Sequence, residues 1–243
     1  MTQYLNMMST NYILSIDTAT PSCSVSLACQ GKHMATIVSE EPNVHASHLT
    51  LFIDRLLKQQ NVAMQELSAV AVSQGPGSYT GLRIGASTAK GLCYALDIPL
   101  IANGTLEGLY EGFIHHQTAR SSQTLWCPMI DARRREVYTC IYDNRGDLLE
   151  PTHALIVDQH TFDVFVEQGH RLVLFGPGAD KFVDTFKDNP SIEIGVNFPS
   201  LAQYQDALSY KRYQRRQFED LAYFEPFYLK DFVATTPKKL PFL

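Results

Sequence analysis

The sequence predicts an α/β protein built on mixed sheets, and three observations predict it. Between residues 12 and 102, short apolar runs that alternate like strands are interleaved with segments of helical period. From residue 125 a second hairpin-led block follows, as in an internal duplication. At 243 residues, with 45% hydrophobic and 19% charged side chains, the chain has a globular composition and length enough for a large core.

Taken in order, 12–16 is an apolar run closed by Asp17, and 24–28 alternates as a strand, so the two predict a hairpin across the loop 18–22. A turn at Gln30-Gly31-Lys32 leads to a third antiparallel strand at 34–39. From Asn43 the period becomes helical, with Leu49, Phe52, Ile53, Leu56 and Leu57 on one stripe and Asn43 or Ser47 as the cap. Buried strands follow at 69–73 and 99–102, on either side of a helix over 78–96. A further helix opens the span 105–124, which ends in the polar segment 117–124. The second block has strands at 125–130, 136–142 and 171–175, with a turn at Asn144-Arg145-Gly146. A helical period over 200–217 then leads to the aromatic run 223–230 and a polar tail.

The rest is organised around residues 73–97, which open on Gly75-Pro76-Gly77 with Ser78 as N-cap. Gly81, Gly85, Ala89 and Cys93 recur at every fourth position, so one face of this helix is nearly bare. With Gly91, the two glycines handicap the helix by roughly 3 kcal/mol against alanine. Close packing is the natural compensation, with Leu82, Leu92 and Leu96 facing the core. The bare face either seats the helix on its own sheet or admits a neighbouring helix across a subunit boundary. Arg83, Lys90 and the short length exclude a membrane span.

A formal net charge of −5 gives no general attraction to nucleic acid. Five cysteines without a CxxC pair read as reduced core residues of a cytoplasmic protein. Residues 1–11 read as a loose extension with no secretion signal.

Four patterns invite chemistry. Asp17 with Thr18, Thr20 and Ser24 has the hydroxyls and acid of a phosphate-facing hairpin, able to hold Mg²⁺ through water. The same residues equally make a side-chain-bonded turn. Gly75-Pro76-Gly77 before a helix resembles an anion site, yet it lacks the lysine and the glycine spacing of the nucleotide fingerprints. His45 and His48 have no third metal ligand nearby, and Ser78 has no nucleophile elbow around it. Arg133-Arg134-Arg135, Lys211-Arg212 and Arg215-Arg216 either touch RNA phosphates or form solvated faces.

Segments 13–27, 73–100, 129–143 and 224–230, and GPGSYTGLRIG above all, together resemble the TsaB (YeaZ) family over most of the chain from residue 12. That resemblance implies a two-lobed actin/hexokinase/Hsp70-type fold, with a first lobe over 1–104 and a reduced second lobe over 105–243 whose C-terminal segment packs back on the first. It implies a non-catalytic scaffold, without cofactor, metal or catalytic residues. The scaffold would activate TsaD, which transfers a threonylcarbamoyl group to the adenosine 3′ of the tRNA anticodon. The ATPase TsaE would join the assembly, tRNA would be met only through the complex, and a homodimer would form in isolation. The partner-binding helices would be about 45–60 and 78–96, with His48, Leu49, Phe52, Leu56, Tyr79, Gly81, Leu82, Gly85 and Ala89 at the contact. On this expectation Gly85→Leu abolishes partner binding and leaves the monomer folded.

The phosphate hairpin Asp17, Thr18, Thr20, Ser24 would be vestigial. Where such a fold presents Asp-Gly-Gly in its second lobe, this chain has Asp131-Ala132-Arg133-Arg134-Arg135, and long side chains replace the glycines that let phosphate approach. The histidine pair of a metal-binding TsaD-like subunit is missing from the corresponding helix. Rival readings are an ATP-hydrolysing or phosphoryl-transferring enzyme of the same fold, a peptidase-like paralogue, or an RNA-binding module acting alone.

Overall fold

The computed structural model describes residues 10–39, 41, 45–117 and 122–230. The first half folds in the expected order. Strands β1 (Tyr12–Asp17), β2 (Ser24–Cys29) and β3 (Lys32–Val38) form an antiparallel meander. Helix α1 (His45–Gln60), strand β4 (Leu67–Gly75), helix α2 (Tyr79–Leu96) and strand β5 (Leu100–Gly104) follow, and β4 lies parallel to both β1 and β5. The resulting sheet has the order β3-β2-β1-β4-β5. Period-2 alternation divides its side chains: Leu14, Ile16, Val25, Leu27, Val70 and Val72 enter the core under α1 and α2, while Ile13, Ala69, Ala71 and Ile101 face the other way.

The second half repeats the plan. After α3 (Thr105–His115) come β6 (Thr124–Asp131), β7 (Glu136–Tyr142), β8 (Leu148–Ile156), α4 (Asp163–Glu167), β9 (Arg171–Phe175), α5 (Val183–Phe186), β10 (Ile192–Gly195) and α6 (Asp206–Gln214). Its sheet order, β10-β9-β6-β7-β8, is the first sheet's order with each strand replaced by its counterpart. The two-lobed actin-type architecture is therefore present, and five strands stand in each sheet. Reduction of the second lobe falls on its helices, since α4 and α5 have only 5 and 4 residues.

Each lobe lends a helix to the other. Helix α3 leaves β5 and covers one face of the second sheet, placing Leu106, Leu109, Tyr110 and Phe113 against Trp126, Ile130, Val173 and Phe175. Helix α6 leaves β10 and returns, setting Tyr210 and Tyr213 on Ile13, Ala69, Ala71 and Ile101 of the first sheet. Where they cross, Arg212 donates both to the Glu107 carboxylate, at 3.0 and 2.8 Å, and to Asn103 Oδ1.

The duplication also extends to the loops. Strands β4 and β9 each end in Gly-Pro-Gly, at residues 75–77 and 176–178. In each case the last glycine lies flush on the first strand pair of its own lobe. A Cβ on Gly77 would stand 2.3 Å from the Ala19 carbonyl oxygen, and one on Gly178 would stand 2.7 Å from the Ile130 carbonyl carbon.

Several expectations differ from what is found. Ser47 lies inside α1, where its hydroxyl pairs with His48 Nδ1 at 2.8 Å, so it is not the cap, and Asn43 lies outside the described residues. The helical period over 200–217 resolves into a 3₁₀ turn (Ala202–Gln205) and α6. Much of the loose extension and all of the polar tail fall outside the described residues, as do 118–121 of the polar segment.

Candidate functional site

The two strand-end acids share a local geometry. Asp17 closes β1 and accepts the Ala19 N–H at 2.9 Å, while Asp131 closes β6 and accepts the Arg133 N–H at 3.0 Å. Both are Asx turns, in which a carboxylate two residues back satisfies a loop amide. The loops they begin border a cleft of about 680 Å³ between the lobes, which Asp131 lines and buried Asp17 does not. Thr20, Pro76, Gly77 and Ser78 line one wall, Asp131, Arg133, Arg134 and Pro177 the other, and 227–230 the rim.

The first hairpin is spent on the protein itself. Asp17 is buried and accepts the Ser200 hydroxyl at 2.6 Å. The Thr18 hydroxyl donates to the Gly81 carbonyl at 2.7 Å, and Ser24 Oγ accepts the Ala202 N–H at 2.9 Å. Thr20 is buried as well, and its hydroxyl has no partner among the described residues. The second hairpin is blocked differently. Arg133 and Arg134 hold φ of 72° and 52°, the left-handed region where glycine sits without cost and other residues do not. Lys181 Nζ reaches Asp131 Oδ1 and the Glu136 carbonyl, so the exposed acid of this lobe already carries a cation.

Helix α2 starts at the cleft. Ser78 caps it as expected, its Oγ accepting the Gly81 N–H at 3.3 Å, and Asp97 ends it with φ of 54°. The bare stripe, however, faces inward. A Cβ on Gly81 would lie 2.0 Å from the Thr18 carbonyl oxygen, one on Gly85 would lie 2.4 Å from Thr18 Oγ1, and Ala89 is 0% exposed. Leu82 is buried beside them, and Leu49 and Leu56 of α1 belong to the same core.

Gly81, Leu82, Gly85, Ala89, Leu49 and Leu56 are thus corrected from contact surface to core: close packing does offset the glycines, but against the chain's own β1–β2 loop. Gly85→Leu would consequently damage the monomer itself. His48, Phe52 and Tyr79 remain partly accessible; the His48 ring packs on Phe52 at 5.6 Å, tilted by 55°, and Tyr79 lies under Arg83.

What faces outward from α2 is a second small-residue series that the sequence reading missed. Ser87, Gly91 and Ala95 are exposed at every fourth position, and a Cβ on Gly91 would meet nothing within 4 Å. Tyr94, 83% exposed, stands beside this series, and Leu51 of the neighbouring α1 is 62% exposed. Its signal was available: Gly91 follows Ala89 by two residues, about 200° round the helix, which puts it on the side opposite the Gly81, Gly85, Ala89 stripe.

Arg212 is consumed by Glu107 and Asn103, whereas Arg215 and Arg216 stay exposed. Among the described residues no three His, Cys, Asp or Glu groups converge on a metal site, and no helix is long and apolar enough to cross a membrane. All five cysteines are free, and burial pushes the thiols of Cys23 and Cys93 up to about 11, which keeps them protonated and inert.

Known proteins place this arrangement. A family model described as TsaD, tRNA N6-adenosine threonylcarbamoyltransferase, matches residues 39–163, just over half of the chain. The tRNA threonylcarbamoyladenosine biosynthesis protein TsaB of Bacillus subtilis (strain 168) is 36% identical over 138 residues, 57% of this chain and 58% of that protein's length. TsaB of Escherichia coli (strain K12) is 28% identical over 233 residues, 94% of this chain and 98% of that protein. A solved structure described as YeaZ from Pseudomonas aeruginosa superposes with a TM-score of 0.72 and 25% identity, covering 90% of this chain and 100% of that one.

Proposed function

From the premise that the chain belongs to the TsaD-related TsaB (YeaZ) family, we propose that it is a non-catalytic subunit of tRNA threonylcarbamoyladenosine synthesis, acting by heterodimerising with TsaD. The observation that carries the non-catalytic part is the fate of the first hairpin. Asp17, Thr18 and Ser24 are buried, bond to groups of their own chain and do not line the cleft, so none of them is presented there to phosphate or magnesium. Calorimetry of the isolated chain with ATP and Mg²⁺ is expected to show no binding heat. Micromolar affinity would instead favour an ATP-using enzyme.

The docking surface we assign is the outward layer of α1 and α2: Leu51, Phe52 and His48 from the first helix, Ser87, Gly91, Tyr94 and Ala95 from the second. Large apolar residues there would anchor the contact and the small ones would set how closely a helix approaches. In isolation the same face would pair with its copy. TsaE and tRNA would be met only through the heterodimer, in the cytoplasm.

Gly91→Leu is the discriminating variant. Because Gly91 faces open space, the change should leave the monomer folded and gain roughly 0.5–1 kcal/mol of helix propensity. At a close helix contact the added bulk costs about 1–3 kcal/mol, roughly a 5- to 150-fold loss of affinity. Retention of the variant on immobilised TsaD at wild-type strength would refute the surface assignment.

A further inference from the structure

Beyond α6 the chain returns across the mouth of the cleft and is held on both sides of it. On the first lobe, the Glu219 N–H donates to the Leu100 carbonyl at 2.9 Å, and Phe224 is buried in the core. Lys90 Nζ donates to the carbonyls of Ala222 and Phe224 at 3.3 and 3.1 Å. The Phe227 N–H reaches the Gln74 carbonyl at 2.7 Å, and the Tyr228 ring lies 4.9 Å from that of Tyr79 while its hydroxyl accepts from Arg83 Nε at 3.3 Å. On the second lobe, the polar attachment among the described residues is made by one side chain: Lys230 Nζ pairs with the Glu136 carboxylate and lies 5.8 Å from the centre of the Tyr138 ring. Gly75 leaves room for this path, since a Cβ there would stand 2.5 Å from the Phe227 carbonyl oxygen.

We propose that residues 224–230 are an internal latch that sets the opening of the two lobes, with Lys230 and Glu136 as its releasable end. Residues 227–230 line the cleft together with Pro76 and Tyr79 of the first lobe and Glu136 and Tyr138 of the second, so the end of the segment bridges the lobes there. The asymmetry of its contacts decides which end opens. A buried phenylalanine and several hydrogen bonds fix it to the first lobe. The second lobe holds it through one ion pair whose side chains are 41% and 25% exposed, an attraction that salt screens. Opening therefore frees the hairpin that carries Asp131 and Glu136 and leaves the first-lobe core intact.

Hydrogen–deuterium exchange on the full chain tests this. In Lys230→Glu, peptides covering 225–230 and 132–138 should exchange about fivefold faster than in wild type, the size expected from reversing one partly exposed attraction. Peptides from α3 should be unchanged. The charge-swapped double variant Lys230→Glu/Glu136→Lys should return both segments to within twofold of wild type, and 0.5 M salt should speed exchange in wild type but not in Lys230→Glu. Unaltered exchange across 132–138 in the single variant, or a double variant as fast as the single, overturns the latch.

Discussion

Gly81→Ala should unfold this protein more readily than any other one-carbon addition along α2. The new Cβ would be built 2.0 Å from the Thr18 carbonyl oxygen, a backbone atom that cannot rotate aside. Relief requires the β1–β2 loop to lift off the helix, which breaks the bond from the Thr18 hydroxyl to the Gly81 carbonyl and loosens the Asp17 turn beside it.

Overpacking of this kind costs about 3 kcal/mol, against about 1 kcal/mol regained in helix propensity. The net loss of about 2 kcal/mol lowers Tm by roughly 4–8 °C in a chain of this size. Gly91→Ala, facing open space on the same helix, should shift Tm slightly upward. Differential scanning calorimetry of the pair decides the matter. Equal melting temperatures would mean that the inward stripe is not in contact with the loop.

The second large effect is expected at Asp206. This buried carboxylate, the first residue of α6, accepts from Ser15 Oγ at 3.1 Å, from Ser26 Oγ at 2.8 Å and from His33 Nδ1 at 2.8 Å, binding α6 to the back of the first sheet. Asp206→Ala strands two buried hydroxyls and should cost about 3 kcal/mol in urea unfolding.

The same cluster gives a pH signature. Its hydrogen bond to Asp206 raises His33 above the ordinary histidine value of 6.5, while burial raises Asp206 above 3.8 against the pull of His33 and the two serines. A histidine raised in the folded state contributes stability that is complete below 6.5 and is lost as pH climbs through its folded value. Asp206 acts in the same sense at lower pH. Wild-type stability should therefore fall between pH 6 and pH 8 by more than that of His33→Gln, which lacks the titrating ring. Parallel pH dependence in both proteins would contradict the role given to His33.

Much of this was legible in the sequence because local rules and tertiary packing agree. The Ser78 cap, the period of α1, the apolar run of β1 and the strands read from alternation at β2 and β7 all survive into the structure. Strand β8 escaped notice because Pro151 interrupts it and, as an edge strand, it leaves Leu148, Leu149 and Ile156 exposed, blurring the alternation that marks a half-buried strand. Strand β10 is only 4 residues long.

The glycine stripe shows a different limit. Periodicity says that Gly81, Gly85 and Ala89 share a face, but not whether the backbone laid against that face comes from 63 residues upstream or from another molecule. Likewise the Asp17 carboxylate and the Ser24 hydroxyl look available in sequence, and only the return of 200–206 to the first lobe shows them engaged.

One consequence of the inward stripe reaches beyond packing. At Gly81 the helix backbone of α2 bears directly on the backbone of the loop bearing Thr18, and at Gly85 it bears on the short, hydrogen-bonded Thr18 side chain. So tight a joint leaves little slack, and a tilt of α2 would have to be met by movement of the loop whose Ala19 and Thr20 line the interlobe cleft.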